Sequence, residues 1–259
     1  MDLQIAGLTA LVTGASRGIG AAVAETFARE GCHLHLASRT AADLDTLKTR
    51  LLQIANVHVT CHALDLGRPE DVSRLGELCG DVDILVNNAG AIPAGRLNAV
   101  SDDRWREAWE LKVFGYINLT RAIYARMCAR KAGVIVNVIG VAGERLRSDY
   151  IAGSTGNAAL MAFTRTLGGE SVDYGVRVCG INPGMIDTDR VRSRLETKAK
   201  LVLGDASRWR ELMKNLPLGR PGRPEEIADA VAFLASARAS YISGTILTVD
   251  AGRAVRNVD

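Results

Sequence analysis

The chain has no CxxC pair, no apolar run approaching the roughly 20 residues that a membrane helix needs, and no basic leader followed by a long hydrophobic stretch. It also carries no marked excess of one charge. Each absence removes a class of protein. Five cysteines, Cys32, Cys61, Cys79, Cys128 and Cys179, are odd in number and widely scattered, which argues against a disulfide framework or a structural zinc site and for a reducing, cytoplasmic setting. A formal net charge of +3 over 259 residues is too small for phosphate-backbone contacts to be the main activity, so neither a nucleic-acid nor a membrane partner is expected. No repeat, low-complexity tract or linker divides the chain.

With 47% hydrophobic and 24% charged residues, there is apolar material for one large core, and a single domain over residues 1–259 is expected. Short β-branched or apolar runs ("TALVT", "HLHLAS", "VHVTCHAL", "DILVNN", "GVIVNV", "RVCGIN", "ILTVD") alternate with longer helical patterns. Seven strands separated by helices predict an α/β fold with a doubly wound parallel sheet and helices on both faces. Between the first two strands, Ala24, Phe27 and Ala28 mark one face of a helix over Ala21 to Glu30, and Gly31 is placed to end it. Thr40 is a candidate cap for the next helix, whose Leu44, Leu47, Leu51 and Ile54 face inward. The segments "WREAWELKVFGYINLTRAIYARM" and "GNAALMAFTRTLGGES" present helical faces rich in small or apolar residues, which a second copy of the chain would cover.

"TGASRGIG", Thr13 to Gly20, follows the first strand and opens the first helix. Gly14 permits the tight turn, Gly18 lets backbone approach a pyrophosphate, and Gly20 lets the helix sit close to the sheet, its N-terminus facing the anion. Ser16, Arg17 and Ile19 complete the loop. At the end of the second strand, where an acidic residue would bind an adenosine ribose, stand Ser38 and Arg39. Arg39 and Arg17 suit a 2′-phosphate, which favours NADP, with NAD remaining possible. The alternative is that both arginines are ordinary solvated charges.

With "TGASRGIG", "NNAG" after the fourth strand, "INPGMIDT" after the sixth and "PLGRPGRPEEIADAVAFLASARASYISGTILTVDAG" near the end, the chain resembles the short-chain dehydrogenases/reductases over nearly its whole length. The resemblance implies a single-domain Rossmann fold, a homotetramer or dimer, and hydride exchange between NAD(P) and a small-molecule alcohol or carbonyl. It also implies that Asp65 and Leu66 flank the adenine, that Asn88, Ala89 and Gly90 line its ribose, and that Pro183, Gly184, Ile186 and Thr188 hold the nicotinamide amide. The alternative for "NNAG" is a polar strand end that stabilises the sheet.

The family's catalysis rests on an asparagine, a serine, and a tyrosine followed four residues later by a lysine. The tyrosine exchanges a proton with the substrate oxygen, the lysine lowers its pKa and holds the nicotinamide ribose, and the serine orients the substrate. Here the corresponding positions carry Lys112, Gly140, Gly153 and Asn157. Two side chains are candidate replacements. Tyr150 lies three residues before Gly153, nearly one helical turn away, and its alternative reading is a half-buried aromatic at the cleft edge. Lys112 is a candidate acid or base, or a structural ammonium on a backbone carbonyl. Two functions remain open: an NADP(H)-dependent oxidoreductase with a rebuilt proton-transfer site, and a catalytically inactive nucleotide-binding or scaffolding protein of the same fold.

A variable substrate lid is expected at about residues 188–223. It carries ten Lys or Arg (Arg190, Arg192, Arg194, Lys198, Lys200, Arg208, Arg210, Lys214, Arg220, Arg223) against four acids (Asp189, Glu196, Asp205, Glu211). This suits an anionic substrate, or else a solvated amphipathic segment with Trp209 and Leu212 packed inward. His33 and His35 share one strand face, and His58 and His62 lie nearby in sequence. No carboxylate or cysteine spacing completes a metal site with them, and no metal is expected.

Overall fold

The computed structural model describes residues 1–214 and 216–256; Asn215 and residues 257–259 lie outside the described residues, as does the side chain of Arg190, one of the ten lid cations. The chain opens with β1 (Thr9–Thr13), α1 (Gly18–Arg29), β2 (His33–Ser38), α2 (Ala41–Ile54), β3 (Val59–Ala63), α3 (Pro69–Leu78) and β4 (Ile84–Asn87). It continues through α4 (Asp102–Trp109), α5 (Gly115–Arg130), β5 (Gly133–Val138), α6 (Ile151–Glu170), β6 (Val176–Pro183), α7 (Asp189–Leu203), α8 (Pro224–Ala235) and β7 (Ile246–Val249). The seven strands form one parallel sheet in the order β3-β2-β1-β4-β5-β6-β7. The order reverses between β1 and β4, and that switch point opens the crevice in which doubly wound sheets bind ligands.

Apolar side chains divide between the two faces of the sheet. Val23 and Phe27 of α1, Leu44, Leu47 and Leu51 of α2, and Ile227 and Val231 of α8 pack on one side against Val12, Leu34 and Leu36. Leu75 of α3 and Leu119, Ile123 and Met127 of α5 pack on the other against Leu11, Leu85 and Ile135. Gly31 adopts φ +81°, and its N–H bonds the Ala28 carbonyl, so it ends α1 as expected. Thr40 stands at the N-cap of α2, but its side chain caps nothing. Its carbonyl accepts the Leu44 N–H, and the exposed first turn of α2 leaves its remaining N–H groups to water.

Two expected helices differ in detail. The run from "WREAW" to "IYARM" is interrupted by a π-helical segment, Glu110–Phe114, in which the Gly115 N–H bonds the Glu110 carbonyl; such a bulge re-aims the side chains it carries, here Lys112. Helix α6 starts at Ile151, five residues before the expected segment, despite Gly153 and Gly156. Close packing overrides their poor helix propensity: a Cβ on Gly156 would lie 3.1 Å from Val113 Cγ2 and 3.2 Å from Trp109 Nε1, and Trp109 Nε1 donates to the Ala152 carbonyl at 3.0 Å. Among the described residues, no helix is long and apolar enough to cross a membrane.

Candidate active site

The glycine loop and the end of β4 are locked together. Thr13 Oγ1 accepts the N–H groups of Asn88 (2.9 Å) and Ala89 (3.1 Å), while Asn88 Nδ2 donates to the carbonyls of Thr13 (3.0 Å) and Gly14 (3.2 Å). Gly14 (φ +63°) and Gly18 (φ +58°) take left-handed turns, and a Cβ on Gly20 would collide with the Gly14 carbonyl oxygen. The loop therefore admits only glycine at position 20, leaving the first turn of α1 bare beside the crevice. Thr188 closes the other side: its Cγ2 would lie 3.2 Å from a Cβ on Gly18, and its hydroxyl caps α7 by accepting the Val191 N–H.

The remaining expected cofactor positions line the same edge of the sheet. Ser38 ends β2 with its Oγ buried and unpartnered, next to exposed Arg39. Asp65 is held at the end of β3 by its N–H to Asp71 Oδ2 (2.9 Å) and by its carboxylate accepting the Gly67 N–H (3.1 Å), with Leu66 buried beside it. Pro183 ends β6, Gly184 donates its N–H to Val249, and buried Ile186 pairs with Gly222. Asn87, by contrast, is structural: its Nδ2 bonds Thr120 Oγ1 and Asn137 Oδ1, and Asn137 in turn bonds Thr164, which ties β4 and β5 to α5 and α6. In "NNAG", then, the first asparagine serves the sheet and the second braces the loop.

Lys112, Gly140 and Asn157 converge beyond the end of β5, with Gly153 one turn earlier on α6. Lys112 runs along Gly90, whose Cβ would lie 2.7 Å from Lys112 Cδ, and its Nζ donates to the Ile139 carbonyl at 2.6 Å. Asn157, 3% exposed, donates from Nδ2 to the Gly140 carbonyl at 3.3 Å, while its Oδ1 is buried without a partner. Tyr150 sits at the N-cap of α6, half-buried. Its ring folds back over Gly153, so that a Cβ on Gly153 would overlap Tyr150 Cε1 and Cζ.

Sequence reasoning did not single out Asn182 or Glu144. Asn182 Oδ1 accepts the Gly140 N–H at 3.2 Å, and its Nδ2 faces Glu144 Oε2, which also accepts the Thr248 hydroxyl at 2.9 Å. Glu144 lies in a loop with no motif to mark it; Asn182 stood within "INPG" as a strand residue.

The segment at residues 188–223 expected to form a lid contains α7 and a 3₁₀ stretch, Ala206–Met213, packed around buried Leu195, Ala199 and Trp209. Most of its described arginines are engaged. Arg192 and Arg210 lie over the Trp209 ring, Arg208 pairs with Glu211, and Arg220 and Arg223 pair with Glu226. Arg194 lies over the Tyr150 ring, 5.7 Å from its centroid.

The histidines pair across strands, His33 with His58 and His35 with His62. Cys79, at the end of α3, lies against the second pair. Burial lowers the pKa of His35, and burial followed by the neighbouring His35 takes His62 down to about 4. Burial also pushes the Cys79 thiol up to about 12.

A parallel, doubly wound sheet with a glycine-only turn at its switch point places the molecule among the dinucleotide-binding α/β proteins. The chain belongs to the short-chain dehydrogenase/reductase family of oxidoreductases: a family model described as enoyl-(acyl carrier protein) reductase matches residues 14–254. The 3-oxoacyl-(acyl-carrier-protein) reductase FabG of Vibrio harveyi is 34% identical over 254 residues, covering 96% of this chain and 98% of that one. Among solved structures, L-sorbose reductase from Gluconobacter frateurii complexed with NADPH and L-sorbose superposes with a TM-score of 0.93 at 33% identity, covering 99% of this chain and 100% of that one. A 7α-hydroxysteroid dehydrogenase complexed with NADH and 7-oxo glycochenodeoxycholic acid gives 0.86 at 29% identity, covering 97% of this chain and 96% of that one.

Proposed function

We propose that the protein is an NADP(H)-dependent oxidoreductase that interconverts a carbonyl and an alcohol, with Tyr150 and Lys112 replacing the family's proton-transfer groups. The observation that carries this reading is the Tyr150 ring lying in the space that a side chain at residue 153 would fill. A phenol is thereby returned to the helix face from which the family's tyrosine is missing. The bound nicotinamide supplies or accepts the hydride; the protein's own groups bind, orient and move the proton. Tyr150 Cζ lies 2.1 Å from the Cβ position of residue 153, and an ordered water relays the proton between the phenol and the substrate oxygen.

Lys112 and Asn157 exchange the residue types that the family places at these two positions. The ammonium approaches the cleft from α4–α5 instead of α6, and the unpartnered Oδ1 of Asn157 suits a hydroxyl of the nicotinamide ribose. Ser38 and Arg39 favour NADP through a phosphate on the adenine ribose. Residues 188–223 act as the substrate lid. An anionic substrate is supported by Arg194, the lid cation beside Tyr150; the other described lid arginines are stacked or paired as an amphipathic segment would have them. A second reading, cofactor binding without turnover, is favoured by the commitment of Lys112 Nζ to the Ile139 carbonyl.

The test is a fluorescence titration with NADPH and NADH, followed by a screen of anionic carbonyl compounds. A charge-assisted phosphate contact is worth about 1.5–3 kcal/mol, so Arg39→Ala is expected to weaken NADPH about 10- to 150-fold and leave NADH unchanged. Loss of turnover in Tyr150→Phe and Lys112→Ala with cofactor binding retained supports the rebuilt site. Turnover unaffected by both variants removes these side chains from the mechanism. Saturable NADPH binding without turnover of any carbonyl leaves the second reading.

A further inference from the structure

Outside the crevice, one cluster of ligand-type side chains has no part in the reading above. His35 Nδ1 and His62 Nε2 are 2.8 Å apart, and Cys79 Sγ lies 3.4 Å from the first and 3.5 Å from the second. The three residues come from β2, β3 and the end of α3, so only the folded sheet assembles them. The imidazole planes are within 8° of parallel, and the two ring nitrogens and the sulfur face one another.

The dimensions suit a particular kind of ion. A cation bound by nitrogen at about 2.0–2.1 Å and sulfur at about 2.3 Å with tetrahedral angles separates N from S by about 3.5 Å and N from N by about 3.3 Å. Both N···S distances already have this value, and the N···N distance needs to open by about 0.5 Å. The ligand set is two imidazoles and a thiol, which suits borderline-soft divalent ions and not the hard cations that require oxygen. Cys79 is 1% exposed, whereas both histidines are half-buried, so the triangle is closed on the thiol side and reachable from the histidine side.

We propose that His35, His62 and Cys79 form a binding site for a zinc-class divalent cation, with three protein ligands and a fourth position open to water. On binding, the Sγ–H proton passes to solvent and a metal–sulfur bond forms. The proton shared between His35 and His62 moves to the outer nitrogen of its own ring, so both facing nitrogens donate lone pairs. No oxidant or reductant is needed. The bound ion staples β2, β3 and α3 directly below Ser38–Arg39 and Asp65, the two loops that begin at the ends of β2 and β3.

Cobalt(II) is the probe, because a thiolate ligand gives it a ligand-to-metal charge-transfer absorption that imidazole and water do not. The metal-free full-length protein is expected to bind one Co(II) per chain with that absorption, to lose it to equimolar Zn(II), and to be indifferent to Mg(II). Cys79→Ser should abolish the charge-transfer band. His62→Gln should weaken binding by more than the roughly 10- to 100-fold that loss of an outer-shell partner costs, while His33→Gln should leave it unchanged. Should Cys79→Ser fail to fold, folded His35→Gln decides: it too must weaken Co(II) binding by more than the roughly 10- to 100-fold that loss of an outer-shell partner costs. Absence of the band, its persistence in folded Cys79→Ser, or unchanged Co(II) affinity in folded His35→Gln overturns the site. Colourless binding that His33→Gln removes overturns it as well, assigning the metal to the His33–His58 pair.

Discussion

Tyr150 and Gly153 form a matched pair, because the ring can lie where it does only while residue 153 has no Cβ. Gly153→Ala should therefore expel the ring from α6 without touching the glycine loop some distance away in the crevice. The expected outcome is a fall in turnover of about 100- to 10,000-fold, the range for losing a general acid or base, with NADPH affinity retained. Steady-state kinetics beside a binding titration checks it, and near-ultraviolet circular dichroism reports the displaced tyrosine. A glycine read from sequence as a missing tyrosine is thus also the space that seats another one. That second meaning was illegible in the linear chain, because the fold-back of Tyr150 depends on its backbone at the N-cap (φ −144°, ψ 41°), outside the helical register.

At the scale of the element, the start of α8 controls a loop of the site. Glu226 accepts both nitrogens of Arg220 (2.7 and 2.8 Å) and the Arg223 N–H (2.6 Å). Between them, Gly222 bonds Met185 and Asp187 of the segment that follows β6. The Arg220 guanidinium first, then the Arg223 N–H, hold the Glu226 carboxyl down at about 2 from its ordinary 4.5. A depressed carboxyl pKa stabilises the fold fully above 4.5, and the contribution is lost as pH falls towards about 2. Glu226→Gln should accordingly lower the thermal midpoint slightly at neutral pH, with the difference from wild type vanishing in acid and shrinking with added salt. Thermal melts across pH measure both. The helices themselves were legible from apolar spacing at Leu44, Leu47 and Leu51; the π turn at Lys112 was not, since a bulge adds one residue to a pattern that is already mostly apolar or small.

For the whole molecule, ligand binding at the switch point couples to global stability. The crevice exists only when β1, β4 and β6 are aligned, so NADPH is expected to bind the folded state alone. At about 100 times Kd this adds about 2.7 kcal/mol, equivalent to a rise of about 5–10 °C in the melting midpoint for a chain of this size. A thermal-shift titration in which NADPH gives no rise contradicts the proposed cofactor. The sequence by itself determined the parallel sheet, the order of strands and helices, and the tight glycine turn between β1 and α1, because these follow from local periodicity and from glycines whose conformation is set within a few residues. Only the tertiary structure decided the contacts that these side chains make: Tyr150 over Gly153, Lys112 on the Ile139 carbonyl, Asn157 with an unpartnered oxygen, and Cys79 against His35 and His62. Each is a contact between segments far apart in sequence or folded back out of register, and such proximity comes from the packing of helices on the sheet, which no local spacing encodes.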